Sequence, residues 1–299
     1  MERITNVAMN ASVLATNQRT LARLATYQQQ LASGKKVNQV SDDPVGAKTS
    51  MRYTGERFAA QKYLDNIDRG TSFMNASDSA LNEMSKLMDQ VKEVAVQGAN
   101  GSQDAASRKV LAQSLDSYLS RLVDVANTVH DGRYIFAGTA TTQAEPPFAL
   151  AEDGTSVGYS GNLDSFAVKV GPNSSVALNQ DGYGLFMKEV DVFTMVINLR
   201  ESLNANDGDE VNALLTEVDA ASTHINNLHG AMGGRLQRLE LARNQLEDST
   251  VYLGELISKI EDVDLTEAIS QMQLSQVALE AGLQAGTRVL QPTLLDFLR

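Results

Sequence analysis

Cysteine and tryptophan are absent from the 299 residues, and aromatic side chains make up only 5% of them. Without cysteine there is no disulfide framework, no thiolate metal site and no thiol nucleophile. The compartment is left open by this, because a secreted protein can also dispense with disulfides. Few aromatics against 42% hydrophobic residues means that the apolar content is mostly Ala, Leu, Val, Ile and Met. Such a composition suits thin helical seams better than a thick core built on large rings. Basic side chains are also short, 25 against 37 acidic, for a net charge of −12. That balance argues against nucleic acid as a partner, since a sequence-independent hold on it needs clustered Lys and Arg. No apolar run approaches the roughly 20 residues that span a bilayer, so no membrane insertion is expected. The start, Met1-Glu2-Arg3-Ile4-Thr5-Asn6, lacks the features of a Sec signal peptide, so any export is expected to take another route.

What is present is helical periodicity. Ile4, Val7, Ala11, Leu14, Leu21, Leu24 and Leu31 advance in steps of three, four or seven, the narrow stripe of a coiled-coil seam. Ser33-Gly34-Lys35-Lys36 ends this helix. Ser41-Asp42-Asp43-Pro44 opens the next, with a capping side chain before a proline suited to the first turn. Its register is Ile67, Met74, Leu81, Met84, Met88, Val91 and Ala95, with a bend or interruption allowed at Gly70. A cleaner run follows, Leu111, Leu115, Tyr118, Leu122, Val125 and Val129, ending at His130-Asp131-Gly132.

Between residues 133 and 186 the period changes to two. Tyr134 and Phe136, Val157 and Tyr159, and Phe166, Val168 and Val170 alternate between glycine-rich turns, which predicts short antiparallel strands. Helix resumes from Val192 to Leu203, turns at 204–208, and continues from Val211 to Ile260. About 50 unbroken residues would extend about 75 Å. The last seam is the strictest: Leu265, Ile269, Met272, Leu279, Leu283, Leu290, Leu294 and Phe297, with Gln276 and Gly286 in the remaining slots and Pro292 near the end. The fold class is therefore mainly α with a β insertion, an elongated antiparallel helical rod formed by the two halves of the chain plus a small antiparallel β domain. Three parts are expected: 1–40 with 265–299 as a terminal coiled-coil assembly segment, 41–132 with 187–264 as a helical rod, and 133–186 as the insertion.

Neither terminal helix can bury its stripe alone. Residues 4–34 carry only Arg19 and Arg23 as charges, and 270–295 only Glu280 and Arg288. A helix pair that is apolar on one side and uncharged on the others is suited to being surrounded by copies or relatives. Packing on the body of the same chain is the alternative, and periodicity leaves both open. Chemistry is not in view. His224 and His229 are five apart, on different helical faces, so no His-x-x-x-His metal site forms. Phosphate-cradling, nucleophile-elbow and dinucleotide motifs do not occur. Asn204–Glu210 lacks the ligand spacing of a calcium loop and reads as a helix-joining turn. No cofactor, metal or catalytic residue is expected. An intracellular coiled-coil scaffold or an enzyme is the competing class, and it predicts stable helical termini in the free chain.

The stretch Leu31-Ala-Ser-Gly-Lys-Lys-Val-Asn-Gln-Val-Ser-Asp-Asp-Pro-Val-Gly46 resembles the N-terminal signature of bacterial flagellins and their relatives. Ala80–Met84, Val94–Asn100, Gly230-Ala231 to Arg235-Leu236, Leu239-Glu240 and the ending Leu294–Arg299 are similar to further helical segments of that family. Within it, Gly132-Arg-Tyr-Ile-Phe-Ala-Gly-Thr139 with Pro146-Pro-Phe148 resembles an element of the hook–filament junction members rather than of the filament subunit. The resemblance implies a structural subunit of the bacterial flagellum, outside the cell, exported through the hollow axis by the flagellar type III apparatus. Its implied partners are a ring of its own copies, hook-associated protein 1, flagellin, and an export chaperone at the C-terminal helix. In the family both termini order as coiled coil only on assembly. A minor flagellin with the same fold is the alternative within the family.

Overall fold

The computed structural model describes residues 2–290. Six helices carry most of the chain: α1 (Glu2–Ser33), α2 (Pro44–Ala99), α3 (Ala105–Ala126), α4 (Val192–Asn204), α5 (Gly208–Glu261) and α6 (Leu265–Leu290). The mainly α class with a β insertion holds. Five of the helices open on an aspartate whose carboxylate accepts from free amides of the first turn. Asp43 accepts from Val45 and Gly46, Asp104 from Ser107, Asp191 from Thr194, Asp207 from Glu210, and Asp264 from Thr266 and Glu267. These bonds hold the Asp104 carboxyl below its ordinary range, the Ser107 amide being the largest cause.

The chain divides into two compact units, residues 1–59 with 249–299, and residues 60–248. The second holds the main core. Ile67, Met74, Leu81, Met84, Met88, Val91 and Ala95 of α2 are all fully buried, so the whole register faces inward. Leu115 and Leu122 of α3, Leu199 and Leu203 of α4, and Val211, Val218 and Ile225 of α5 join the same cluster. α2 runs through Gly70 without interruption. The glycine is there for space: a Cβ would stand 2.9 Å from Leu178 Cδ2 and 3.4 Å from Val168 Cγ1.

The insertion consists of three separate antiparallel hairpins: β1 (Val129–His130) with β2 (Arg133–Tyr134), β3 (Phe148–Leu150) with β4 (Val157–Tyr159), and β5 (Ala167–Gly171) with β6 (Ser174–Ala177). Helix α3 stops at Ala126, three residues before the end of its expected run, and Val129 begins a strand. Asn127 explains the stop. Its side chain donates to Phe148 O at 2.7 Å and accepts from Phe148 N at 2.9 Å, committing the chain to the insertion. Asp131 and Gly132 then turn the first hairpin with φ of 49° and 72°, the conformation of a two-residue hairpin turn. Phe136 lies in a turn rather than a strand.

The scarce aromatics are concentrated here. Phe136 meets Phe186 at 5.2 Å between ring centroids, and Phe148 meets Phe186 at 5.8 Å and Phe193 at 5.5 Å. All four rings are fully buried. Phe186 sits on a π-helical turn, Gly184–Lys188, and Phe193 on α4.

Candidate assembly interface

The segment between α1 and α2 is shaped by local hydrogen bonds. Gly34, at φ 72°, ends α1 in the left-handed conformation that suits glycine. Asp42 folds the loop back by accepting from the amides of Asn38 and Gln39 at 3.0 and 2.9 Å. This loop is bound to the one between α5 and α6. Lys36 N donates to Glu261 O at 2.7 Å, and Val263 N donates to Gly34 O at 3.0 Å. Lys35 Nζ and the Ser50 hydroxyl both donate to the Glu261 carboxylate. The Lys35 bond first, then the Ser50 bond, hold that carboxyl below the ordinary glutamate range. So the Leu31–Gly46 signature encodes a strap that joins the bases of the two terminal helices.

Above this strap α1 and α6 pack along one another. Leu24 and Ala268 are buried, while Leu31, Met272 and Leu279 are half-buried. Close approach is set by small residues: a Cβ on Gly282 would overlap the Asn17 side chain, and one on Gly286 would lie 3.5 Å from Val13 Cγ1. The other seam positions are not covered by this pairing. Ala11 is exposed, and Leu14, Leu21, Leu265, Ile269 and Leu283 are 44–60% exposed. Leu294 and Phe297 lie outside the described residues, as do the side chains of Ile4, Val7 and Leu290. Thr16, Thr20 and Thr26 donate their hydroxyls to carbonyls one turn back in α1. Those three hydroxyls are thus satisfied within the helix itself.

In the second unit, the Tyr134–Thr139 element closes the insertion. Phe136 O accepts from Gly182 N at 2.9 Å and from the Tyr159 hydroxyl at 3.1 Å. Thr139 N donates to Asn162 Oδ1 and Asn162 Nδ2 to Thr139 Oγ1, each at 2.7 Å. Gly138, at φ 68°, has no room for a Cβ against Asn162. Each histidine has a local partner. His130 pairs with Ser72 at 3.0 Å, His224 with Leu185 O at 2.8 Å and His229 with Asp78 at 3.0 Å. No metal-holding group of three or more His, Cys, Asp or Glu occurs among the described residues, and no helix among them is long and apolar enough to cross a membrane.

Sequence reasoning missed Arg108. This arginine is 7% exposed and its guanidinium serves carbonyls at two helix ends. Nε donates to Gly98 O at 3.0 Å, Nη2 to Asn100 O at 3.3 Å, and Nη1 to Asn206 Oδ1 at 2.7 Å and Asn206 O at 3.3 Å. A cation there answers the unsatisfied carbonyls at the ends of α2 and α4. The only signals for it were the turn residues around 98–101 and 204–208, which place two helix C-termini in need of donors.

The whole arrangement is mechanical: long helices, a strap and an apolar surface left open. The family model for the bacterial flagellin N-terminal helical region matches residues 4–141, and that for the flagellin C-terminal helical region matches residues 215–298. The chain belongs to the bacterial flagellin family and is a structural protein of the bacterial flagellum. It is 25% identical to a flagellin of Listeria innocua over 254 residues, covering 82% of this chain and 80% of that one. It is 24% identical to flagellar hook-associated protein 3 of Escherichia coli over 287 residues, covering 87% and 88%. A crystal structure of the flagellar junction protein from Legionella pneumophila superposes with a TM-score of 0.61 over 72% of this chain and all of that one, at 17% identity; the likeness is one of fold. Members of this family build flagella and are not enzymes.

Proposed function

We propose that this protein forms the junction between hook-associated protein 1 and the flagellin filament. Copies are exported through the flagellar axis and assemble as a ring, with α1 and α6 buried among neighbouring subunits. Residues 1–40 with 265–299 are the assembly segment, 41–132 with 187–264 the rod, and 133–186 the insertion. The seam running from Ile4 to Leu31 and from Leu265 to Phe297 becomes core only in the assembly. A chaperone covers the C-terminal helix before export. One observation carries this reading. Fourteen of the twenty-one exposed large hydrophobic residues among those described lie in the unit formed by 1–59 and 249–299, although it is the smaller of the two. A concentration of that kind marks an interaction surface. The junction position, rather than the filament, is supported by the Tyr134–Thr139 element and by the likeness to hook-associated protein 3.

Cells lacking the protein are expected to make hooks yet release flagellin into the medium; normal filaments in such cells would overturn the proposal. The similar identity to the Listeria flagellin favours a second reading, a minor flagellin. Seed filaments added to purified protein separate the two, because long self-built filaments would support the second.

A further inference from the structure

The second unit contains an open cleft of about 910 Å³ between α2 and the β1–β2 and β5–β6 hairpins. Its apolar lining includes Phe73, Phe166, Val168 and Leu178, with the two phenylalanine rings edge to face at 5.3 Å. Its rim carries Arg69 and Arg133. Neither guanidinium is paired with a carboxylate among the described residues. Among the described residues Arg69 donates to Asp65 O and Asn66 Oδ1, and Arg133 makes no ion pair. Of the two carboxylates at the rim, Asp68 is engaged by Arg243, while Asp131 points into solvent, 88% exposed. The cleft therefore suits an apolar side chain followed closely by an acidic one.

The same unit presents such a pair. Leu150, 37% exposed at the end of β3, is followed by the exposed Glu152 in the turn to β4. The neighbouring Asp153 is occupied by Thr155, whose amide and hydroxyl donate to it at 3.1 and 2.8 Å. Glu152 has no such partner among the described residues. We propose that the β3–β4 turn of one copy docks into this cleft of the next, Leu150 entering the apolar floor and Glu152 meeting Arg69 and Arg133. One patch meets a different patch, so the contact is head-to-tail and propagates around a ring. The inference rests on the ring of copies proposed above.

The absence of cysteine makes the test clean. Two full-length forms of different tag length, one with Thr141→Cys in the cleft and one with Ala151→Cys at the turn, are co-expressed, and isolated flagella are treated with a short bis-maleimide. A cross-linked species containing one of each is expected, with neither form alone giving a dimer. Adding Arg69→Glu and Arg133→Glu to the cleft form should lower its yield about tenfold through like-charge repulsion, and Glu152→Lys in the other form should restore it. Both forms present in flagella without the mixed species, or linked instead to flagellin or a hook protein, would overturn the contact and leave the junction reading intact. Absence of both forms from flagella, with the unsubstituted chain absent as well, would overturn that reading and this contact with it.

Discussion

Replacing Arg108 with methionine tests whether a single buried cation ties three helices at one end of the larger unit. Methionine keeps most of the aliphatic stem, so the loss is mainly the guanidinium. Two of its hydrogen bonds are short, 3.0 Å to Gly98 O and 2.7 Å to Asn206 Oδ1, and the two at 3.3 Å are weak. A hydrogen bond from a charged donor is worth about 1.5–3 kcal/mol, and water reaching the freed carbonyls recovers part of that. Loss of the positive charge at the ends of α2 and α4 adds about 0.5 kcal/mol each. The sum is a destabilisation of about 3–4 kcal/mol. With a urea dependence of about 3 kcal/mol per molar, the unfolding midpoint of the full chain followed by circular dichroism should fall by about 1 M. Arg121→Met is the control, because Arg121 is largely exposed and pairs with Glu83 on the surface; its cost should stay below about 1 kcal/mol. Equal midpoints for the two variants would refute the role given to Arg108.

Glu261→Gln should weaken protection of the Lys36 and Val263 amides against hydrogen exchange at pH 7. The folded carboxyl lies below its unfolded range, so its stabilisation is complete above the unfolded value of about 4.3 and is lost as pH falls through the folded value. The difference between the two proteins should therefore shrink in acid, and a gap independent of pH would count against the Lys35–Glu261–Ser50 link. Gly138→Ala forces a side chain into the left-handed region against Asn162 and should cost at least about 1–2 kcal/mol; an unchanged urea midpoint would contradict this. Leu283→Asp should leave the free chain as helical as before while abolishing its recovery in flagella, since an unpaired charge in an assembled core is heavily disfavoured. Asp153→Asn should be recovered normally.

Periodicity was most informative where one chain buries its own stripe. The seven register positions of α2 from Ile67 to Ala95 are all solvent-free, and Asp43 caps α2 as the Ser41–Pro44 context suggests. For α1 and α6 the same reasoning found the apolar positions but not what covers them. Spacing states which face is apolar, whereas the covering partner depends on Gly282 and Gly286 drawing α6 onto α1 through one face only. The end of α3 was misplaced because Val129 keeps helical spacing with Val125, and only the bonds between Asn127 and Phe148, twenty-one residues apart, reveal the break. Arg108 was hidden for a related reason. A lone arginine in a helical pattern looks like a solvated residue until the chain brings two helix ends to it.

The account depends most on the α1–α6 surface being open in the free chain and covered in the flagellum. With no native cysteine, Leu283→Cys supplies a single thiol at a position 54% exposed. The account predicts rapid maleimide labelling of the purified subunit and protection of the same thiol in isolated flagella. Equal labelling rates in the two states would contradict it.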